Sequence, residues 1–288
     1  MTTALHSKNF SVVINSFGAE VQSVKDNNSI EYIWQGNKAV WGRQAPVLFP
    51  IVGKLRDNSF VFENQNYELP QHGFARDMEF IQISKNIDSC SFRLASNNQT
   101  KKKYPFDFIF EIKYVLTVNT LTTFYTIKNP SKKPIHFSVG AHPGFNCPLL
   151  PNETFEDYYL EFETTDFKLT ALDNGLRKVL KNKLKLQNNR LPLSDSLFNN
   201  DALVFENNQI NSISLLSNKS DRKITLNCKN WPFFGIWSKK GNNQFICLEP
   251  WYGIADSIDT NQLITTKKGI INLNPLSEFN CSYSVSFF

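Results

Sequence analysis

Four histidines and one glutamate carry most of the proton chemistry available to this 288-residue sequence. Imidazole titrates closest to neutrality, so a histidine held in a cleft can donate or accept a proton there. His6 lies near the first residue and is set aside. His136 belongs to the run Pro134-Ile-His-Phe-Ser-Val139, where alternation makes it a strand residue with a structural place. His72 and His142 sit in constrained loops instead. His72 falls in Leu69-Pro-Gln71-His72-Gly73-Phe74-Ala75-Arg76-Asp77, directly before a glycine that frees it to point from a loop into a cleft. Arg76, four residues on, offers a fork of donors to an oxygen-rich ligand. His142 falls in Val139-Gly140-Ala141-His142-Pro143-Gly144-Phe145-Asn146, where a strand ends and proline and glycine fix a tight turn, a suitable place for a general acid. Taken alone, each histidine is equally compatible with a residue that only satisfies a turn.

Glu249 occupies Phe245-Ile-Cys247-Leu248-Glu249-Pro250-Trp251-Tyr252-Gly253. A carboxylate directly after an apolar strand is costly to desolvate, and burial would raise its pKa and make it a stronger base. The flanking aromatics suit a sugar platform; the plainer alternative is a rim glutamate paired with a lysine. A fourth segment, Trp41-Gly-Arg43-Gln-Ala-Pro46-Val-Leu-Phe-Pro50-Ile-Val-Gly53-Lys54-Leu-Arg56-Asp57, has prolines that point to an edge or irregular strand and basic residues at both ends. No phosphate-binding glycine loop, H-E-x-x-H or G-x-S-x-G elbow is present.

Positioning these groups falls to strands. Period-2 alternation recurs at Phe10–Ile14, in a Phe60–Leu69 hairpin around a polar turn, and at Phe279–Phe287. The clearest case is Phe106 to Lys128, two runs rich in Thr, Tyr, Phe and Ile flanking a turn near Asn119. Gly18-Ala19 reads as a turn or bulge. Helical signals are weak: one short turn fits Ser194 to Leu203, Asn182–Arg190 reads as a loop, and Lys101-Lys102-Lys103 as a solvated turn. The expectation is one all-β domain over residues 1–288, a large antiparallel β-sandwich.

Composition narrows the function classes. Hydrophobic residues make up 41% of the chain, enough to bury a sizeable core, and phenylalanine occurs 25 times. The net charge of +5 is scattered, without the aromatic-interleaved basic stripe of a nucleic-acid binder, yet compatible with an anionic small substrate. Five widely spaced cysteines without a C-x-x-C argue against a zinc site or a disulfide framework and for a reducing compartment. The first residues lack the apolar stretch of a signal peptide, and the run from Ala45 to Val52 is too short to span a bilayer. The expected location is the cytoplasm, with neither membrane nor nucleic acid as partner.

The four segments, in this order, resemble the aldose 1-epimerase (galactose mutarotase-like) superfamily from Gly18-Ala19 through Glu249. The stretch from Leu69 to Arg76 is similar to the branch of LacX-like proteins and hexose-6-phosphate mutarotases. The resemblance implies a sugar cleft in one sheet, with no metal or cofactor. It assigns Glu249 as catalytic base, His142 as the acid that protonates the ring oxygen, and His72 as a second histidine that orients it. Asp201 matches the acidic residue that holds sugar hydroxyls. Lys54 stands where galactose mutarotases have a substrate-binding arginine; an ammonium cannot copy a bidentate guanidinium, which puts plain galactose in doubt. Arg76, and Arg43 after a one-residue gap, resemble the arginines of the sugar-phosphate branch.

The implied reaction is reversible. Glu249 removes the anomeric hydroxyl proton while His142 protonates the ring oxygen, the ring opens to the aldehyde, and reclosure gives the other anomer. The two groups are then expected on opposite sides of the C1–O5 unit. Two rival readings share the fold: a non-catalytic carbohydrate-binding protein, which would need no acid–base pair, and a glycoside hydrolase, which would want two carboxylates about one bond.

Overall fold

The structure, a computed structural model, describes residues 1–241 and 243–288. Alternation is obeyed most cleanly where the sequence showed it best. Ile109–Thr117 and Thr120–Lys128 pair antiparallel from Thr117 opposite Thr120 to Ile109 opposite Lys128, burying every second residue. Their turn sits at Val118 and Asn119. The Phe60–Leu69 expectation resolves into Ser59–Phe62 paired with Gln65–Glu68. Glu63 and Asn64 both take positive φ between them, as a tight hairpin turn with matching twist requires.

Two large antiparallel sheets hold most of these strands. One runs in the order Arg190–Pro192, Tyr158–Phe162, Ser212–Ser217, Lys223–Asn227, Glu278–Phe287, Thr120–Lys128, Ile109–Thr117, Ser89–Ala95 and Ile81–Lys85. The other runs Leu176–Lys185, Asp166–Asp173, Leu203–Glu206, Phe233–Trp237, Phe245–Tyr252, Val139–Ala141 and Val47–Leu48, with Gly144–Asn146 also pairing to Phe245–Tyr252. Rings meet across the gap between them: Phe162 and Phe205 lie 6.2 Å apart, Tyr252 and Phe279 5.1 Å. The many phenylalanines fill this interior, and such aromatic pairs add stabilisation beyond the area they bury.

The Phe245–Tyr252 strand is buried on both faces, which explains its unbroken apolar look. Ile246 and Leu248 point into the main core between the sheets. On the opposite face Cys247 packs with Trp34 and Phe245, and Trp251 packs with Val52, Val204 and Ile254. Glu249 lies between these two small clusters. The indole of Trp251 crosses its neighbours at close range. A β-carbon on Gly235 would stand 2.3 Å from it, and one on Gly140 2.8 Å. Only strands with glycine at both points leave room for the ring.

Two expectations shift, and one strand goes unread in the sequence. Asn182–Lys185 is strand, the end of Leu176–Lys185, because its lysines and Asn182 lie on an exposed edge where polar side chains cost nothing. Lys101–Lys103 closes a short helix, Asn98–Lys103, whose first turn is capped by the Asn97 side chain and by Thr100 reaching back. Thr2–His6 is a strand paired with Phe10–Asn15, with His6 at its end. Ser194 to Leu203 contains only turns before its strand begins, and Val47–Leu48 is the edge strand that the prolines predicted. His136 pairs through Nδ1 with Asn272 Oδ1 at 2.5 Å, away from the other histidines. Among the described residues no helix is long and apolar enough to cross a membrane.

Candidate active site

A break in strand pairing brings the acid and base candidates together. Val139 and Gly140 pair with Tyr252 and Trp251, and Gly144 resumes the ladder opposite Cys247. Between them the chain bows outward at His142-Pro143, opposite Glu249. His142 N–H is held by Pro46 C=O at 3.1 Å, and Leu248 N–H reaches Pro143 C=O at 3.3 Å. His142 Nε2 ends 3.2 Å from Glu249 Oε2. The two groups stand side by side on one wall, not facing each other across a substrate as the sequence reading expected.

His72 is fixed by a reciprocal clasp. It occupies the third position of a turn closed by Gly73 N–H to Pro70 C=O, in left-handed backbone (φ 67°) that a histidine rarely adopts. Its own N–H donates to Gly53 C=O at 2.9 Å, and Gly53 N–H returns a bond to His72 Nδ1 at 3.2 Å. With Nδ1 an acceptor, the neutral ring carries its proton on Nε2; the Gln71 amide nitrogen, 3.3 Å away, is also a donor, so this N–H is left without an acceptor there. The His72 and His142 rings meet edge to face, 5.5 Å between centres.

Both histidines and Glu249 line a cleft of about 450 Å³, together with Lys54, Arg76, Asp201, Asn174 and the tryptophans Trp41, Trp237 and Trp251. Lys54 Nζ donates to Asn174 C=O at 3.1 Å and so ties down the Asn174-Gly175 hairpin tip. Asp201 sits at positive φ on the rim, its Oδ1 accepting from Ala202 N–H. Arg76 donates to Gln71 C=O at 2.6 Å, while its buried Nε makes no hydrogen bond among the described residues. Arg43 does not line the cleft; it is 2.9 Å from Asp77, which Arg76 also approaches at 3.8 Å.

Electrostatics separate the roles. Burial pushes Glu249 well above the usual carboxylate range; the Trp251 indole opposes the rise and the Asp201 charge adds to it. Burial pushes His142 down to about 3, partly opposed by its own backbone, with Arg76 and Arg43 adding to the fall. His72 is also lowered by burial, then by His142 and the two arginines. Arg76 falls to about 10 through burial and the nearby Arg43, and stays charged at neutral pH. Trp41 was the residue whose part the sequence did not disclose. Its ring stacks on His142, centres 5.0 Å apart at 28°, offering its π face to an imidazolium. Trp237, edge-on to His142 at 5.9 Å, and Asn174 also went unread; no local pattern marks them.

Comparisons with known proteins agree with this architecture. The family model described as aldose 1-epimerase matches residues 1–267. Protein LacX, chromosomal, from Lactococcus lactis subsp. lactis is 30% identical over 296 residues, covering 99% of each chain. A galactose mutarotase related enzyme from Lactobacillus acidophilus superimposes with a TM-score of 0.96 at 35% identity, over 100% of this chain and 97% of that one. A galactose mutarotase-like protein from Lactobacillus casei gives 0.91 at 30% identity, over the whole of both chains.

Proposed function

The chain belongs to the aldose 1-epimerase family and has its galactose mutarotase-like sandwich, and from that premise we propose that it interconverts the α and β anomers of a hexose or hexose 6-phosphate by acid–base ring opening. The observation that carries this reading is the 3.2 Å approach of two buried titratable groups, Glu249 and His142, in a sugar-sized cleft.

O1 and O5 are bonded to the same carbon, so the two protons to be moved are neighbours and adjacent groups reach both. The pair also suits the proton count. Neutral carboxyl with neutral imidazole, and carboxylate with imidazolium, differ only by one proton passed across the contact. Ring opening starts from the charged form, when Glu249 takes the O1 proton and His142 gives its proton to O5. It ends on the neutral form, which is the one that burial favours. Reclosure on the other face of the aldehyde runs the transfers backwards. Each positioned group contributes about 10²–10⁴-fold.

His72, held neutral with a proton on Nε2, serves as a donor to a sugar oxygen. Asp201 accepts from sugar hydroxyls, Lys54 donates from the hairpin side, and the indoles form an apolar floor. Arg76, with Arg43 behind it, supplies positive charge for a phosphate. The chain acts as one domain in the cytoplasm and needs no cofactor in this scheme.

The test is polarimetry or saturation-transfer NMR on freshly dissolved α-glucose, α-galactose and their 6-phosphates. Acceleration that disappears in Glu249→Gln supports the epimerase. Saturable sugar binding with no acceleration of any of the four would replace it with a carbohydrate-binding protein.

A further inference from the structure

Cys247 has no part in that chemistry, yet it lies two residues before Glu249 on the same face of the same strand. We propose that His142, Cys247 and Glu249 form a binding site for a thiophilic divalent cation of the zinc class, which silences the enzyme by occupying its acid–base pair. One donor atom from each residue lies within 4.8 Å of the others, and all three residues are buried. His142 and Glu249 face the cleft, while Cys247 stands behind that wall beside Trp34 and Phe245.

The donor set fits that class of ion. Nitrogen, sulfur and carboxylate oxygen are the ligands zinc takes, at about 2.0–2.3 Å, and a tetrahedral ion leaves its fourth position open to the cleft. Donor atoms around such an ion stand roughly 3.3–3.8 Å apart. The His142–Glu249 separation of 3.2 Å nearly meets this already, and rotation of the Cys247 and Glu249 side chains closes the rest. One donor points to an unfilled role. Glu249 Oε2, which faces His142 Nε2, is buried without a hydrogen-bond partner among the described residues, a costly state for a polar atom. Binding displaces the thiol and carboxyl protons to solvent and leaves thiolate, carboxylate and neutral imidazole on the ion.

The inhibitory half rests on the proposed epimerase activity; the site itself does not, so the two are read separately. Chelator-stripped protein is titrated with Co²⁺ without sugar, and the near-ultraviolet sulfur-to-cobalt charge-transfer band is followed, with Zn²⁺ as competitor. The wild type is expected to show the band and to lose anomer exchange as Zn²⁺ binds. Cys247→Ala is expected to lose the band, to bind Zn²⁺ at least about tenfold more weakly, and to keep its anomer exchange. Glu249→Gln retains the thiol and is expected to bind Co²⁺ more weakly, which keeps the test open if Cys247→Ala folds poorly. No band in the wild type, or a band undiminished in Cys247→Ala, overturns the site. A band in a protein without anomer exchange leaves the site standing and removes the epimerase.

Discussion

Two glutamates in the same sheet are almost equally buried and behave in opposite ways. Glu206 is 1% exposed and Glu249 is 2% exposed, on strands separated only by Phe233–Trp237. Glu206 has company: Lys268 pairs with it closely, Lys181 lies at 3.4 Å, Arg177 at 3.8 Å, and Thr170 donates at 2.6 Å. Burial alone would raise its pKa, but the bonds from Lys268 and Thr170 and the lysine charges outweigh it and hold the carboxyl below its usual range. Glu249 meets only a neutral imidazole and an indole, so burial prevails and its pKa rises. Nearby cations keep the Glu206 carboxyl charged, whereas Glu249, set deeper and without cations, is driven toward its neutral form.

The comparison breaks first on activity. Glu249→Gln should lower kcat for anomer exchange by at least about 10²-fold while the protein folds normally. Glu206→Gln, normalised to folded protein, should stay within about threefold of wild type, since none of its hydrogen-bond or ion-pair partners lines the cleft. Equal losses would mean that the site depends on the sheet's charge balance and not on Glu249. Stability should show the reverse order. Removing the Glu206 charge leaves Arg177 and two partly exposed lysines around an amide, and because water can re-solvate the lysines this should cost about 1–3 kcal/mol in denaturant unfolding. Glu249→Gln should be neutral or stabilising by about 0.5–2 kcal/mol, because a buried carboxyl held at a desolvation cost is replaced by an amide.

The pH dependence of those stabilities sharpens the contrast. The lowered Glu206 pKa gives stability that is present above its ordinary unfolded value, near 4.5, and lost as pH falls through the folded value. The raised Glu249 pKa gives a contribution that is fully present below the ordinary value and lost as pH rises through the folded one. Thermal melts of wild type and each variant should therefore diverge in opposite senses. The Glu206→Gln deficit should grow on going from acid to neutral pH, and Glu249→Gln should gain on wild type over a range extending further upward. A Glu249→Gln difference that is flat with pH would mean that the carboxyl is not held in its neutral form.

Smaller still is a test of the floor beside Glu249. Gly235→Ala sets a methyl 2.3 Å from the Trp251 ring and should cost about 1–3 kcal/mol. If the ring is a sugar platform, KM should rise more than kcat falls; an unchanged KM would leave Trp251 as packing alone.

How much of this could be read from the sequence depended on whether the signal was local. The Ile109–Lys128 hairpin was legible because alternation and a turn lie within one stretch of chain. The Phe245–Tyr252 strand was legible because burial on both faces leaves an apolar run that a single glutamate interrupts. The Asn98–Lys103 helix was missed because its capping box hides in a string of Asn, Gln, Thr and Lys that also suits a turn. Residues quoted from separate motifs, Glu249, His142 and His72, meet in one cleft, but their side-by-side order depends on a ladder break visible only in three dimensions. Trp41 belonged to a quoted segment, yet its stacking on His142 arises from contacts across about a hundred residues. Glu206, unremarkable in sequence, acquires its meaning from cations on two other segments.

The two arginines that share Asp77 repeat the contrast between the glutamates with the sign reversed. Arg43 is matched by Asp77 at 2.9 Å and lies off the cleft wall, so its charge is largely answered within the protein. Arg76 lines the cleft, and its buried Nε makes no hydrogen bond among the described residues and reaches the same carboxylate only at 3.8 Å. The less satisfied group has more to gain from an anion. Arg76→Ala should raise KM for a hexose 6-phosphate about tenfold, the scale of one charged hydrogen bond, and leave the neutral hexose within about twofold. Arg43→Ala should do less, about two- to threefold, as expected for a charge acting through partial solvent screening. Equal losses for the neutral and phosphorylated sugars in Arg76→Ala would show that its guanidinium braces Gln71 and His72, and would leave the cleft without a phosphate ligand on that side.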